Sequence, residues 1–473
     1  MNLASLLYGS DRPGDEALVH VAEASWSRDE VVARADAVVA ELRAAGVQPG
    51  QVVGVRLPNG VDVLAVLFGV WRAGCVYMPL NPRLTATELD HVTSTVVPAA
   101  IVRGGERADR GWEVETASGV EPARYDEDVC LVQFTSGTTG RPKAVLLEHS
   151  GVLTLLDGVL AKLRGGSAAN VPTKAPMPNL IPVSLSLWAG IYNVLFAMRV
   201  GAPVVVLEQF TTVGFADAVR RFGIRSTVLP PAAMTMLADD ERIDDLSPLR
   251  FVRSITAPLS PLGARRFRDR FGISVLNSYG QTEIGGEIVG WSAADSREFG
   301  ETKLGSVGRP HQGVEVRTSD EGELLVRTPA MSAGYADGAD LADRMTPDGW
   351  FRTGDHASVD DDGFVWIEGR VSDMVNRGGM KVFPGEVQEV LLLHPEVADA
   401  AVVGVPDERL GEVPWAFVVP AGAAAPAPEA LEAHCRVHLA PYKIPAGFEV
   451  IDALPRNEVG KVLTRELAAK VSR

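Results

Sequence analysis

Cysteine is scarce in this chain. Its 473 residues include Cys75, Cys130 and Cys435 as the only cysteines. Because they are few, scattered and odd in number, they favour neither a disulfide framework nor a zinc site. We expect them to be buried in the core of a protein that occupies a reducing compartment.

The sequence also lacks long apolar runs and an excess of basic residues. No stretch reaches the roughly 18 apolar residues of a spanning helix, and residues 1–5 carry no basic region, so we expect a cytoplasmic protein without a membrane span. The formal net charge of −16 disfavours nucleic acid and anionic membranes as partners, because phosphate contacts need clustered Lys and Arg. An anionic substrate must therefore be bound by local groups.

The rest of the composition is that of an ordinary globular protein, with 46% hydrophobic and 22% charged residues. The length predicts two or more domains. Apolar spacing predicts a helix over 28–45, a strand over 52–57 and a helix over 62–73, and similar alternation continues to residue 229. This pattern predicts an α/β fold of sheets covered by helices.

A loop rich in hydroxyls and glycine follows the apolar run 129–134. It reads Thr135-Ser136-Gly137-Thr138-Thr139-Gly140-Arg141-Pro142-Lys143. Glycines let backbone N–H groups approach a polyphosphate, hydroxyls donate hydrogen bonds and a lysine neutralises charge. The spacing is not that of GTPases and kinases. The loop resembles the phosphate loop of the adenylate-forming superfamily of acyl- and aryl-CoA ligases, adenylation domains and luciferases, and nine residues in order disfavour a plain solvated turn.

Two later clusters extend the resemblance. The first is Ser278-Tyr279-Gly280-Gln281-Thr282-Glu283, in which the family pattern assigns Tyr279 to adenine, Thr282 to phosphate and Glu283 to Mg²⁺. The second joins Asp355 to Arg370, fifteen positions later, and the resemblance assigns both side chains to the ribose of ATP. A carboxylate suits vicinal hydroxyls, and a guanidinium donates from a rigid plane. Taken alone, each cluster would be an ordinary turn or cap.

Near the end of the sequence, Pro455-Arg456-Asn457-Glu458-Val459-Gly460-Lys461 resembles the motif that carries the family's catalytic lysine. A cation there would stabilise charge that develops as a carboxylate attacks the α-phosphate. The resemblance therefore makes Lys461, with Thr282 and Glu283, the expected catalytic residues. Loss of the Lys461 side chain should affect adenylate formation more than ATP binding.

The family resemblance also implies the domain organisation. We expect a large N-terminal adenylation domain over 1–371 and a small, mobile α+β lid over 372–473. Ser372 stands at the hinge, where the family usually has Asp or Lys. Rotation there would exchange Lys461 for a CoA loop that contains Gly378 and Gly379. Because Ser372 departs from that pattern, acceptors other than CoA stay open as alternatives.

Departures from the family pattern bear on the acid substrate. The acyl pocket commonly has Gly-Gly-Ala-Pro-Leu, where this chain has Ile255-Thr256-Ala257-Pro258-Leu259. Branched side chains fill space, so we expect a compact acid rather than a long fatty acid. Asn179 stands near the usual gate position, and it could bond either a polar substituent of an aryl acid or the protein backbone.

These features predict a ligase that uses ATP and Mg²⁺ to convert a compact carboxylic acid into an acyl-adenylate and passes it to a thiol, with CoA as the leading acceptor. An alternative keeps adenylation but changes the acceptor to a carrier-protein thiol, an amine, or nitrite activated for diazotisation of an arylamine. A nucleotide sensor without turnover is the non-enzyme alternative, and a catalytic-type lysine at position 461 argues against it.

Overall fold

The computed structural model describes most of the chain. The described residues are 2–10, 12–105, 111–116, 120–135, 143–163, 176–257, 259, 261–338, 341–422, 424–456 and 462–471. The chain forms two compact units, the first made of residues 1–258, 266–315 and 327–349 and the second of residues 259–265, 316–326 and 350–473. The expected division at residue 372 stays a prediction.

The α-helices of the described residues, in chain order, are α1 (Ser5–Tyr8), α2 (Arg28–Ala44), α3 (Val61–Arg72), α4 (Ala86–Thr95), α5 (His149–Leu163), α6 (Trp188–Arg199), α7 (Thr212–Arg221), α8 (Pro231–Asp239), α9 (Pro261–Phe271), α10 (Ala293–Phe299), α11 (Pro384–Leu392), α12 (Pro428–His438) and α13 (Thr464–Val471). None of the helices in this part of the chain combines the length and apolarity needed to cross a bilayer.

The strands are β1 (Ala17–Val21), β2 (Ala24–Ser27), β3 (Val52–Arg56), β4 (Val76–Pro79), β5 (Ala100–Gly104), β6 (Trp112–Thr116), β7 (Val129–Thr135), β8 (Lys143–Glu148), β9 (Asn179–Ile181), β10 (Val204–Val206), β11 (Ser226–Leu229), β12 (Phe251–Ser254), β13 (Ser274–Asn277), β14 (Tyr279–Gln281), β15 (Gly286–Gly290), β16 (Arg309–Pro310), β17 (Glu315–Thr318), β18 (Glu323–Arg327), β19 (Gly334–Tyr335), β20 (Phe351–Val359), β21 (Val365–Arg370), β22 (Val375–Arg377), β23 (Met380–Val382), β24 (Val397–Asp407), β25 (Gly411–Pro420) and β26 (Gly447–Val450).

The first unit contains a seven-stranded sheet in the order β19-β8-β7-β4-β3-β5-β6. Its centre is parallel, and β6, β8 and β19 are antiparallel to their neighbours. Central strands read as continuous apolar runs because helices cover them, and α3 is buried over almost its whole length. The indole Nε1 of Trp71 donates to the Cys130 carbonyl oxygen at 2.8 Å, which ties α3 to β7.

Three smaller sheets complete the first unit. They run in the orders β2-β1-β10-β9, β11-β12-β13 and β14-β15-β16. Strands β11, β12 and β13 are parallel, so their carboxyl ends share one edge, with Leu229, Ser254 and Asn277 in register. The α/β fold expected from strand and helix alternation is confirmed, and so are the early helices and strand, as α2, β3 and α3.

The second unit contains two sheets, β17-β18-β20-β21 and β23-β22-β25-β24, and β26 pairs with β25 in the latter. One buried cluster packs α11 and α12 on strands β24 and β25, with Val387 and Leu431 fully buried. A second cluster includes Leu467 of α13 and Phe417 of β25. The expectation for the cysteines is confirmed in part, since all three are free and buried.

Candidate functional site

An antiparallel hairpin of β7 and β8 holds both ends of the hydroxyl-rich loop. Thr135 lies opposite Lys143, and its Oγ1 donates to the Lys143 carbonyl oxygen at 3.4 Å. Residues 129–133 of β7 are buried in the sheet, so the loop leaves from a rigid edge. The remaining residues expected to bind phosphate lie outside the described part of the chain: Ser136, Gly137, Thr138, Thr139 and Gly140.

A tyrosine joins the phosphate-loop lysine to the glutamate expected to bind metal. Strand β19 pairs with the edge of β8 and places Tyr335 opposite Val145. The Nζ of Lys143 lies 4.7 Å from the centroid of the Tyr335 ring, and the Tyr335 hydroxyl donates to Glu283 Oε1 at 3.4 Å. Burial, followed by the charge of Glu283, raises the pKa of Tyr335. Two motifs distant in sequence therefore converge on one aromatic side chain.

The Glu283 carboxylate is mostly buried yet held by long contacts. Its Oε1 accepts from Arg344 Nη1 at 3.5 Å and from Tyr335 at 3.4 Å, both longer than a strong charge-assisted hydrogen bond. In the residues the structure describes, no group of three or more His, Cys, Asp or Glu side chains could form an all-protein metal cage. Mg²⁺ usually binds one or two carboxylates together with substrate phosphates, and Glu283 beside the loop fits that pattern.

The segment before Glu283 is fixed by close backbone packing. Gly280 of β14 lies opposite Glu287 of β15, and a Cβ at Gly280 would be 1.8 Å from the Gly286 carbonyl oxygen, so only glycine fits. The Tyr279 hydroxyl accepts from Gln281 Nε2 at 3.0 Å. Ser278 Oγ donates to the Ser254 carbonyl oxygen at 3.1 Å, which connects this segment to the end of β12.

Thr282 begins a 3₁₀ turn over Thr282–Ile284, which presents Glu283 at its second position. The turn ends at Gly285 with φ of 86°, where a Cβ would be 2.5 Å from the Ala330 carbonyl oxygen. The fold thus sets the backbone around the two polar side chains, while their expected contacts with phosphate and metal stay predictions.

In the second unit, Asp355 and Arg370 lie directly opposite each other on β20 and β21. Arg370 Nε is 2.9 Å from Asp355 Oδ1, and the aspartate side chain is 7% exposed while the arginine is 36% exposed. The Asp355 backbone N–H donates to Thr353 Oγ1 at 3.1 Å. The hairpin brings together the pair that the sequence assigned to ribose, although a ribose contact is a separate expectation that the geometry alone does not test.

The expected hinge and CoA loop follow β21. Ser372 lies in a 3₁₀ turn over Val371–Asp373, and its Oγ donates to Asp373 Oδ1 at 3.0 Å. Gly378 and Gly379 form the two-residue turn between β22 and β23, with φ of 60° and 88°. A tight hairpin with two positive φ values strongly prefers glycine, so backbone geometry alone explains this pair. Their roles in domain rotation and CoA binding stay predictions.

The residues expected to line the acid pocket lie at the ends of short strands. Asn179 Nδ2 donates to the Asn193 carbonyl oxygen at 2.8 Å, which is the backbone bond that the sequence left open as one of two alternatives. Ile255 is half-buried, and Thr256 and Ala257 are exposed. Thr256 has φ of 71°, a left-handed conformation that is rare for a β-branched residue. The substituted position therefore keeps a backbone shape that suits glycine.

Lys461, the expected catalytic lysine, lies outside the described residues. The chain on either side of its motif is held by a bridge between Arg456 and Val462 and by a hydrogen bond from the Leu463 N–H to the Pro455 carbonyl oxygen at 2.8 Å. Arg456 Nη2 is also 2.6 Å from Asp399 Oδ2. These contacts anchor the ends of the motif to the second unit.

Sequence reasoning missed two groups of residues in the first unit. Tyr335 and Arg344 contact Glu283, and no local pattern marked either side chain. The second group centres on Glu287, whose Oε1 is 3.3 Å from both Arg253 Nη1 and His311 Nε2. A signal for Glu287 was present, because a carboxylate between Gly286 and the apolar pair Ile288-Val289 is unusual on a buried strand.

Comparison with known proteins shows which proteins this chain resembles. A family model described as AMP-binding enzyme matches residues 9–336, and a model of the AMP-binding enzyme C-terminal domain matches residues 386–461. A feruloyl-CoA synthase of Amycolatopsis sp is 32% identical over 453 residues, covering 90% of each chain. A fatty acid–[acyl-carrier-protein] ligase, ScoC, of Streptomyces coeruleorubidus is 31% identical over 90% of this chain and 88% of its own. The crystal structure of ATP-bound MatB from Rhodopseudomonas palustris superposes with a TM-score of 0.87 at 25% identity, covering 100% and 99% of the two chains.

Proposed function

Because the chain belongs to the AMP-binding enzyme family, we propose that it is an adenylate-forming ligase for a compact carboxylic acid. ATP and the acid form an acyl-adenylate with release of pyrophosphate. A thiol then takes the acyl group and AMP leaves, and CoA is the leading candidate for that thiol.

The observation that carries the proposal is the convergence of Lys143 and Glu283 on Tyr335. The lysine is 4.7 Å from the ring centroid and the carboxylate is 3.4 Å from the hydroxyl. A polyphosphate needs both a cation and a group that can share a metal ion, and Lys143 and Glu283 supply both. A solvated surface turn would not require a lysine and a buried carboxylate to contact the same tyrosine.

Each remaining site residue has a role in this proposal. Thr135 and Lys143 bind the β- and γ-phosphates with the loop between them, Tyr279 stacks on adenine, and Thr282 contacts the phosphate under attack. Glu283 would hold Mg²⁺, and the bound ion would neutralise part of the phosphate charge. Fixed donors of this kind lower the barrier because they need no reorganisation as charge develops.

The residues outside the first unit contribute separately. Asp355 accepts hydrogen bonds from the ribose hydroxyls, and Arg370, already placed by its 2.9 Å contact with Asp355, is a second ribose ligand. Lys461 stabilises the negative charge that builds up while a carboxylate oxygen bonds to the α-phosphorus and the bond to pyrophosphate breaks. In the second step a thiolate sulfur bonds to the acyl carbon and AMP departs with the electron pair of the broken bond.

A carrier-protein thiol is the second candidate acceptor. The similarity to an acyl-carrier-protein ligase over 90% of this chain supports it. Ser372 at the expected hinge position is a further reason to keep the acceptor open, since the family's usual hinge residue is absent. An amine or nitrite would use the same adenylate with a different nucleophile.

The test is pyrophosphate release with Mg²⁺-ATP across a panel of short, aryl and amino-substituted aryl acids and nitrite. Each is assayed alone, with CoA, with a carrier protein bearing a phosphopantetheine thiol, and with an amine. Lys461→Ala is the blank, and Lys470→Ala is its matched control, because Lys470 is an exposed lysine on α13. Mass spectrometry identifies the acyl product.

Release that requires a carboxylic acid and yields a CoA thioester supports the proposal in full. A thioester on the carrier protein alone supports adenylation and identifies the carrier-protein thiol, rather than CoA, as the acceptor. Release with nitrite alone contradicts activation of a carboxylic acid. ATP binding without pyrophosphate release for any acid would instead identify a nucleotide sensor.

A further inference from the structure

The first unit contains a buried polar cluster around Glu287. We call it the Glu287 cluster, and its members are Glu287, Arg253, His311 and Tyr192. The side chain of Ser278, which is assigned to the nucleotide, also hydrogen-bonds the Glu287 carboxylate. Glu287 Oε1 lies 3.3 Å from both Arg253 Nη1 and His311 Nε2. Burial opposes ionisation of Glu287, but Arg253 and His311 outweigh it and lower its pKa to about 2. The carboxylate is therefore charged at neutral pH.

The hydrogen bonding of this cluster is incomplete. The Tyr192 hydroxyl is buried without a partner, in a residue that is 5% exposed. Burial, followed by the charge of Glu287, raises the pKa of this hydroxyl, and the charge of Arg253 opposes that rise. Buried polar atoms in native proteins nearly always have a partner, so this hydroxyl calls for a water or ligand that completes the site.

His311 adds a second unpaired position. An ionised carboxylate only accepts hydrogen bonds, so the His311 Nε2 that faces Glu287 carries the proton. In the neutral ring Nδ1 is then an acceptor, and it too is buried without a partner. The cluster consequently offers a carboxylate, a ring nitrogen and a hydroxyl as acceptors.

The cluster adjoins the residues assigned to the acid pocket. Arg253 and Ser254 end β12 directly before Ile255. Tyr192 precedes Asn193 on α6, whose carbonyl oxygen accepts from Asn179. These placements put the backbone of the Glu287 cluster next to that of the residues assigned to the acid pocket.

The same cluster also borders the segment assigned to adenine. Ser278 Oγ donates to the Ser254 carbonyl oxygen at 3.1 Å, and Glu287 is paired with Gly280 across β14 and β15. The cluster is therefore also connected to the segment assigned to adenine.

We propose that the Glu287 cluster binds an amino group on the substrate, and that the enzyme's substrates are compact carboxylic acids that carry one. Glu287 accepts a hydrogen bond from the amine, and the Tyr192 hydroxyl supplies a second hydrogen-bond partner. A second carboxylate fits poorly because Glu287 is already negative and Arg253 is already paired with it. This assignment rests on the proposed acid-activating function for its chemistry, but binding can be measured without turnover.

The experiment compares matched acids that differ only in the amino group, 3-aminobenzoate with benzoate and 3-aminopropanoate with propanoate. Calorimetry measures binding to the full chain, and pyrophosphate release measures adenylation. A hydrogen bond to a charged group predicts roughly 10- to 100-fold preference for the amino member of the pair that fits.

Tyr192→Phe is the main variant, because it keeps the ring that packs 5.9 Å from Trp188 and removes only a hydroxyl that has no partner. It should reduce the preference by about tenfold while binding of the matched acid without an amine is unchanged. Tyr77→Phe, at another fully buried tyrosine, is the control and should leave the preference intact. Glu287→Gln should abolish the preference, and Tyr192→Phe decides the question if Glu287→Gln fails to fold.

The outcomes separate this inference from the proposed function. Pyrophosphate release without any amino preference overturns the inference and leaves the ligase in place. An amino preference in binding that Tyr192→Phe reduces, without pyrophosphate release, supports the inference and contradicts the ligase. No preference in either assay, or one that Tyr77→Phe reduces equally, assigns the Glu287 cluster to structure alone and overturns the inference.

Discussion

Thr256 is the position where the structure makes the most specific prediction about stability. Its φ of 71° places a β-branched residue in the left-handed region, and its side chain is exposed. This conformation costs an ordinary residue about 1–2 kcal/mol. Replacement by glycine removes that cost but adds roughly 0.5–1 kcal/mol of chain entropy in the unfolded state. Since no buried contact is lost, Thr256→Gly should increase the free energy of unfolding by about 0.5–1 kcal/mol.

The assay is urea unfolding of the wild type, Thr256→Gly and Thr256→Ala. The unfolding midpoints are compared with a common value for the dependence of the unfolding free energy on urea concentration. Thr256→Ala keeps a Cβ, so its free energy of unfolding should increase little. This variant therefore separates release of backbone strain from loss of the threonine side chain. A second readout is the acid panel, in which the glycine variant should accept longer acids. A glycine variant that is less stable than wild type, or no more stable than the alanine variant, would refute the argument from backbone strain.

Two further predictions follow from the structure. Gly280→Ala should destabilise the first unit by at least about 2 kcal/mol, because the new Cβ would be 1.8 Å from a backbone oxygen. Gly104→Ala is the control, because a Cβ there meets open space, and it should be nearly neutral in the same urea titration. Burial and then Glu386 raise the pKa of Glu389 to about 7 from 4.5, so the folded protein binds this proton more tightly than the unfolded chain does. The stability that this proton contributes is fully present below about pH 4.5 and is lost as the pH rises through 7. Glu389→Gln should therefore reduce the fall in the urea unfolding midpoint between pH 5 and pH 8. An unchanged fall would contradict this prediction.

Local parts of the site were predictable from the sequence. Asp355 and Arg370 are fifteen positions apart, and a strand, turn and strand between them place two residues of a hairpin opposite each other. The Gly378-Gly379 pair sits in a two-residue turn that needs positive φ at both positions. In both cases a few neighbouring residues determine the geometry, so a linear pattern carries enough information.

Tyr335 shows why the remainder was not predictable. It reaches Lys143 and Glu283 only because the two-residue strand β19 adds to the edge of β8, far away in sequence. A strand this short has no periodicity, and its pairing partner depends on which edge the rest of the sheet leaves open. The same limit applies to Arg344, which contacts Glu283 from a separate short turn. Pairings of this kind become visible only with the tertiary structure.

The topology of one small sheet explains why residues assigned to the acid and to the nucleotide follow neighbouring strands. Strands β11, β12 and β13 are parallel and end in register at Leu229, Ser254 and Asn277. The next residues of each strand therefore leave at the same edge, and in open α/β sheets ligands bind at the carboxyl ends of the strands. Ile255 and Ser278 follow directly, one assigned to the acid and one to the nucleotide. A substitution just past a strand end can change the substrate without disturbing the buried strand, which makes this edge the place where a compact, amine-bearing acid would be selected.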